Sequence, residues 1–311
     1  MRKILSLMAL AALLAGCDLD ELGSFGDSHA YEKDFHYSYP LKAGGRLSVD
    51  NFNGPVEITG WDQERVEIDG VQYASTREMR DSIKIEIVTG ADFVQIRTVR
   101  PPPSRGNMGA KYIIKAPKKL VLERLLTSNG AVKLEDLDGS SRVRTSNGPV
   151  RAVRLRGSLE AQTSNGSVEV RDQEGTITIR TSNAPVRVNG VRGAVHATTS
   201  NGGIEARLLK PEPHRPVKLE TTNGSIDLTM DELADNEIRA GTTNGGITLR
   251  LPAKVGARVH ARTSHSSVHT DFDVKGERDE REKHSLDGVI GGGGPAVNLT
   301  SSNGSIRLLK L

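Results

Sequence analysis

Thr127-Ser128-Asn129-Gly130, Thr145-Ser146-Asn147-Gly148 and Thr163-Ser164-Asn165-Gly166 are three copies of one tetrapeptide, set at a constant interval along the chain. The same interval reaches Asn183 and Asn201. It then lengthens slightly on the way to Asn223, Asn244 and the variant His265, and the motif returns at Asn303. A single earlier copy stands at Asn51-Phe52-Asn53-Gly54. Self-similarity at a short fixed period marks a repeat architecture, in which each unit buries its apolar face only by stacking on the next.

Alignment on the Asn shows which positions face inward. Three residues after it stand Val132, Val150, Val168, Val186, Ile204, Ile226, Ile247, Val268 and Ile306, all β-branched. Five after it the column reads Leu134, Ala152, Val170, Val188, Ala206, Leu228, Leu249, Thr270 and Leu308. Four before it stand Leu125, Val143, Ala161, Ile179, Ala197, Leu219, Ala240, Ala261 and Leu299. Polar residues such as Lys133, Arg151, Glu169 and Arg187 fall between. Period-two alternation is the signature of strands with one buried face. Each unit therefore holds two short strands and two bends, one at Ser-Asn-Gly and one near Gly139, Gly157, Gly175 and Gly193. Asn and Gly both tolerate positive φ, which suits a tight corner.

An antiparallel meander would use each Asn-Gly as a hairpin turn. A parallel solenoid would make each unit one coil, with equivalent residues stacked about 4.8 Å apart. Identical residues in every copy favour the solenoid, because Asn side chains stacked in register hydrogen-bond into a ladder. The expected fold is all-β: a parallel β-solenoid (β-helix) of about nine short coils. The ladder would comprise Asn129, Asn147, Asn165, Asn183, Asn201, Asn223, Asn244 and Asn303, with an inner row of Thr hydroxyls beside it and a break at His265. Residues 31–110 are expected to form an irregular N-terminal β cap, with a helical turn over 76–81 and a loop at Pro101-Pro102-Pro103. Residues 111–311 hold the repeats, with insertions at 210–216 and 271–294.

The amino terminus reads as an export signal. Arg2 and Lys3 precede an apolar run from Ile4 to Leu14, too short for a membrane-spanning helix, which needs roughly 20 residues. The run ends in Leu14-Ala15-Gly16-Cys17, which resembles the bacterial lipobox. This implies a signal peptide over 1–16, lipid on Cys17 and a tether over 17–30. Cys17 is the sole cysteine, so the chain forms no intramolecular disulfide. Two or three acyl chains, at about 0.8 kcal/mol per buried CH₂, would hold the protein on a membrane. Asp18 resembles the inner-membrane retention signal of enteric lipoproteins. The expected location is the cell envelope, on the periplasmic face.

Composition narrows the function. Aromatics make up 4% of the chain, and Trp61 is the sole tryptophan, consistent with a narrow aliphatic core. The formal charge of +3 arises from 42 Lys and Arg set against 39 Asp and Glu. No basic block stands out, so nucleic acid is not an expected partner. His260, His265, His269 and His284 gather near the second insertion. Strand geometry does not bring His265 and His269 together, and no metal site is expected. Gly291 to Gly294 lacks the Lys-Ser/Thr of a phosphate loop. No Gly-x-Ser-x-Gly elbow occurs, and no cofactor site is read.

The stretch Leu47-Ser48-Val49-Asp50-Asn51-Phe52-Asn53-Gly54-Pro55-Val56-Glu57-Ile58-Thr59-Gly60-Trp61, the Thr-Ser-Asn-Gly coils and the closing Gly293-Gly294-Pro295-Ala296-Val297-Asn298-Leu299 together resemble the bacterial β-strand-repeat "putative adhesin" family, a domain of unknown function. The resemblance implies no catalytic residue. It points to a non-enzymatic envelope scaffold or adhesin-like module with an envelope protein or glycan as partner. The alternatives are a carbohydrate-active β-helix enzyme, which would need clustered acids and aromatic platforms, and a self-assembling solenoid.

Overall fold

The alternating columns fold into two facing sheets. In a computed structural model, which describes residues 31–102, 106–276 and 283–311, one sheet has 13 strands and the other 14. Apart from antiparallel strands at its ends, each sheet contributes eleven parallel strands, one per coil. At about 4.8 Å per strand the coils span about 50 Å. The chain is thus a parallel β-solenoid with two coils more than the nine expected. Segment 1–30, with Cys17 and Asp18, lies outside the described residues.

The coil around Asn147 shows the unit. Ser141–Arg144 lies in one sheet, the corner follows, and Val150–Val153 lies in the other. Each strand pairs in parallel with its equivalents one repeat away: Val143 with Ala161, and Val150 with both Val132 and Val168. The three aliphatic columns are buried and form one continuous core. A fourth inward column lies at the second bend, where Leu137, Leu155, Gln173 and Val191 are each no more than 2% exposed. Parallel bridges Lys119–Asp138–Arg156–Glu174–Arg192 link that bend from coil to coil.

The order of coils along the stack departs from chain order at both ends. Gly45–Asp50 and Val56–Trp61 form a full coil lying between Phe93–Val99 with Met108–Pro117 on one side and Leu120–Leu126 with Val132–Glu135 on the other. Coil architecture therefore begins at Gly45, inside the stretch read as a cap. At the other end, Ala296–Ser301 and Ile306–Lys310 enter between the Asn244 coil and the coil of Ala257–Thr263 and Val268–Thr270. His265 consequently stands at the end of the stack rather than inside it.

Antiparallel strands finish the ends. Tyr31–Pro40 pairs with Arg65–Ala74, and Lys84–Thr89 with Phe93–Val99. Between them Arg77–Ser82 makes the expected helical turn, its first turn capped by the Thr76 hydroxyl, which accepts from the Met79 N–H at 3.2 Å. Gly70 lets the Phe35 ring cross it to reach Tyr112, centroids 5.3 Å apart, since a Cβ at Gly70 would lie 2.2 Å from that ring. The far end is closed by the insertion at 271–294. Ser285–Ile290 pairs with Ala257–Thr263 and buries Leu286 and Ile290, and Phe272 packs beside them. Its described part thus serves as a cap. The other insertion, at 210–216, is pinned by the buried Asn236, whose amide donates to the carbonyl of Arg215 at 3.0 Å.

Candidate functional site

The Thr-Ser-Asn-Gly corner is the most regular feature of the surface. Each Asn Nδ2 donates to the Oδ1 of the Asn one coil nearer the N-terminal end. The line runs from Asn129 onto Asn53 at 3.1 Å, and through Asn147, Asn165, Asn183, Asn201, Asn223, Asn244 and Asn303 at 2.6–2.7 Å. Asn53 ends it by donating to the carbonyl of Met108 at 2.8 Å. The line passes from Asn244 straight to Asn303, so His265 does not interrupt it. His265 instead lies beyond Asn303, its main-chain N–H bonded to the Ser302 carbonyl at 2.9 Å.

The Thr hydroxyls do not form a row among themselves. Each buried Thr donates to the main-chain carbonyl of the neighbouring coil's corner: Thr127 to Gly54 at 2.7 Å, Thr163 to Gly148 at 3.2 Å, Thr199 to Ala184 at 3.1 Å and Thr263 to Gly304 at 2.9 Å. Nor do these corner glycines, apart from Gly54, need positive φ. A Cβ at Gly130, Gly148 or Gly166 would sit 1.8 Å from the carbonyl oxygen of the preceding corner. Close approach of the coils, not a left-handed backbone, selects Gly here. The corner chemistry is directed inward and along the stack.

The second bend carries a pattern the repeat alignment above does not use. Seven and nine residues after each Asn stand Asp136 and Asp138, then Arg154 and Arg156, then Asp172 and Glu174. Lys118 and Lys119 precede them, and Arg192 follows. Charge sign thus reverses from coil to coil. Asp136, Arg154 and Asp172 all adopt left-handed backbone, with φ of 57°, 53° and 53°. The Arg154 guanidinium grips Asp136 with two bonds of 2.8 and 2.9 Å and also reaches Glu135. Lys118 meets Asp62 at 3.0 Å, and Arg156 meets Glu174 at 3.4 Å. The bond from Arg154 holds the Asp136 carboxyl below its usual range. Burial pushes Glu135 up, but bonds from Arg154 and Lys133 outweigh it and hold Glu135 low as well.

These rows line an open groove of about 820 Å³, with Trp61 at its N-terminal end. The indole N–H donates to the carbonyl of Arg65 at 2.9 Å, and Arg65 and Lys115 lie 5.3 and 5.8 Å from the ring centroid. Within the groove Asp62, Asp136 and Glu174 are each paired with a cation, an arrangement suited to a rigid charged surface. The outward faces of the sheets repeat the theme. Arg142 meets Glu160 at 3.0 Å, Arg207 meets Asp231 at 3.1 Å, and Arg250 pairs with Asp227. Arg144 and Arg180 face outward with Gln162 between them.

Among the described residues, no three His, Cys, Asp or Glu side chains are grouped to hold a metal. His260 pairs with Asp287 and His284 with the Ser266 carbonyl, which ties the second insertion to the terminal coil. His269 stands 3.7 Å from Asp271. Aromatic residues, sparse overall, are concentrated: all but Phe272 precede residue 113, and those among the described residues lie toward the N-terminal end of the stack.

A family model described as Toastrack DUF4097 matches residues 117–309. No curated protein matches the chain. Similar solved structures include a "putative adhesin" from Bacteroides fragilis, 13% identical, covering 90% of this chain and 97% of that one with a TM-score of 0.39. A second "putative adhesin", from Parabacteroides distasonis, is 12% identical over 90% and 97% of the two chains, with a TM-score of 0.38. A "putative cell adhesion protein" from Clostridium sporogenes is 12% identical over 90% and 100%, with a TM-score of 0.23.

Proposed function

This chain belongs to the Toastrack DUF4097 family, and from that premise we propose that it is a non-enzymatic binding module of the cell envelope, held on a membrane by lipid on Cys17. One observation carries the reading: an uninterrupted stack of in-register coils presents rows of side chains whose charges largely neutralise one another. The paired members of these rows are not free to serve as the acid and base that a hydrolase or lyase positions about a scissile bond. They do offer a stiff, ridged face on which a partner surface loses little conformational entropy on docking. The partner is an envelope protein or glycan.

The test is photo-crosslinking in cells. A photoreactive residue at Arg187 or Lys218, one on each outward face, is expected to capture a discrete envelope component. A uniform failure to capture at either face contradicts a binding module. Degradation of a glycan library by the purified protein, lost in Asp136→Asn, would establish an enzyme instead. For the anchor, Cys17→Ala is expected to abolish acyl labelling and release the chain from membranes. Acyl labelling and membrane attachment that persist in that variant contradict lipid on Cys17. Asp18 further suggests retention at the inner membrane, which fractionation of the acylated protein reads directly.

A further inference from the structure

The chain contains nine Asn-Gly pairs, at Asn53, Asn129, Asn147, Asn165, Asn189, Asn201, Asn223, Asn244 and Asn303. Asn-Gly is the dipeptide in which a main-chain nitrogen most readily attacks the preceding side chain, because Gly brings no Cβ to hinder it. Eight of the nine belong to the corner line, and only Asn189-Gly190 stands apart. We propose that Asn189 is a deamidation site, and that the corner architecture shields the other eight.

The reaction is self-contained apart from water. The Gly190 main-chain nitrogen attacks Cγ of Asn189, the bond from Cγ to the side-chain nitrogen breaks, and ammonia leaves. The resulting cyclic imide takes up one water and opens to aspartate or isoaspartate. Reaching that geometry requires rotation about the Asn side chain and its main-chain ψ.

At the corners this rotation breaks several bonds at once. The Asn amide is held in line by its neighbours, as at Asn147, bonded at 2.6 Å to Asn129 and at 2.7 Å to Asn165. The following Gly nitrogen is also engaged. Gly148, Gly166, Gly245 and Gly304 donate to the hydroxyls of Thr145, Thr163, Thr242 and Ser301 at 3.3, 3.1, 3.3 and 2.9 Å.

Asn189 is not part of that line. Its side chain is exposed on the outer face of Val186–Gly193. The register of that strand against Ile204–Pro211 skips Gly190, which has φ of +75° and no residue opposite it. The main-chain carbonyl of Asn189 accepts one bond, from the Asp172 N–H at 3.0 Å. An unpaired residue in a strand is the place where the ladder is already interrupted. The product also suits its surroundings. The residues opposite Asn189 on the two flanking strands are Arg171 and Arg207, so a new carboxylate enters the row between two cations.

The test is peptide mapping by mass spectrometry of the full-length, detergent-solubilised protein aged at mildly alkaline pH. Asn189 is expected to convert at least about tenfold faster than any corner Asn, equivalent to about 1.4 kcal/mol in barrier. In urea, where the stack is lost, the nine pairs are expected to convert at similar rates. Thr145→Val, which removes the hydroxyl that Gly148 bonds, is expected to speed conversion of Asn147 while leaving Asn165 and Asn189 unchanged. Asn189→Gln is expected to silence the native-state signal. Corner residues converting as fast as Asn189 in the folded protein would overturn the proposal, as would an Asn189 that stays intact while the unfolded chain converts.

Discussion

At the corner, three residues of one tetrapeptide do three different things. The Asn links outward-lying amides, the Thr satisfies a buried carbonyl of the adjacent coil, and the Gly leaves room for that carbonyl. The Asn row was legible from spacing alone, since equal steps along the chain put identical amides in register. The tasks of Thr and Gly were not, because both contacts are made between coils and no single repeat contains them. Replacing Thr163 by Val leaves the Gly148 carbonyl without its hydroxyl donor, at an expected cost of about 1–3 kcal/mol. Replacing Gly224 by Ala sets a methyl 1.9 Å from the Gly202 carbonyl oxygen, and overpacking of this kind costs about 1–3 kcal/mol. Ala184, the one methyl in the column, shows that the backbone can yield locally, so strain rather than exclusion is expected. Gly241→Ala is the contrast. Its nearest neighbour is the Thr300 hydroxyl at 3.4 Å, and a gain of up to about 1 kcal/mol is expected from the stiffer unfolded chain. Urea denaturation of the three variants measures all of these.

At the level of the bends and strands, the reversal of charge from coil to coil acts as a register device. A slip by one coil would set Asp136 beside Asp172 and Arg154 beside Lys118, exchanging attraction for repulsion. The pattern was present in the sequence seven and nine residues after each Asn. It escapes notice when columns are sorted by hydrophobicity, because the bend has no period-two alternation. Its pH dependence has a definite sign. Glu135 and Asp136 have folded-state pKa values below their usual values of 4.5 and 3.8. Their contribution is therefore complete at neutral pH, begins to fall as pH drops through those usual values, and is lost once pH passes below the lowered folded-state values. Arg154→Glu places a third carboxylate beside Glu135 and Asp136. It is expected to destabilise the fold modestly, because the pair is half-exposed, and the loss should shrink at high salt. Chemical denaturation of wild type and variant at pH 7 and pH 3 reads it: the difference between them should narrow at the lower pH.

For the molecule as a whole, the columns of Val, Ile, Leu and Ala were enough to foresee two sheets of parallel strands. They could not foresee the order of the coils, because every coil offers its neighbours the same aliphatic surface. Chain connectivity and end strands decide the order. Asn53 joins the stack directly below Asn129, and the C-terminal pair Ala296–Ser301 and Ile306–Lys310 enters ahead of the coil that carries His265. This placement keeps eleven coils in one register and gives the outward faces their unbroken rows, which the proposed binding role requires. The most direct measurement is disulfide mapping in a Cys17→Ser background. Thr248 and Arg307 are opposite one another on adjacent strands, as are Arg307 and His269. Adjacent strands stand about 4.8 Å apart, within reach of a disulfide, whereas strands two apart exceed the roughly 7 Å limit. Cysteine pairs at 248 and 307, and at 307 and 269, are predicted to oxidise readily, while a pair at 248 and 269 should not. Efficient bonding between 248 and 269 would mean that the coils follow chain order, and would contradict the architecture described.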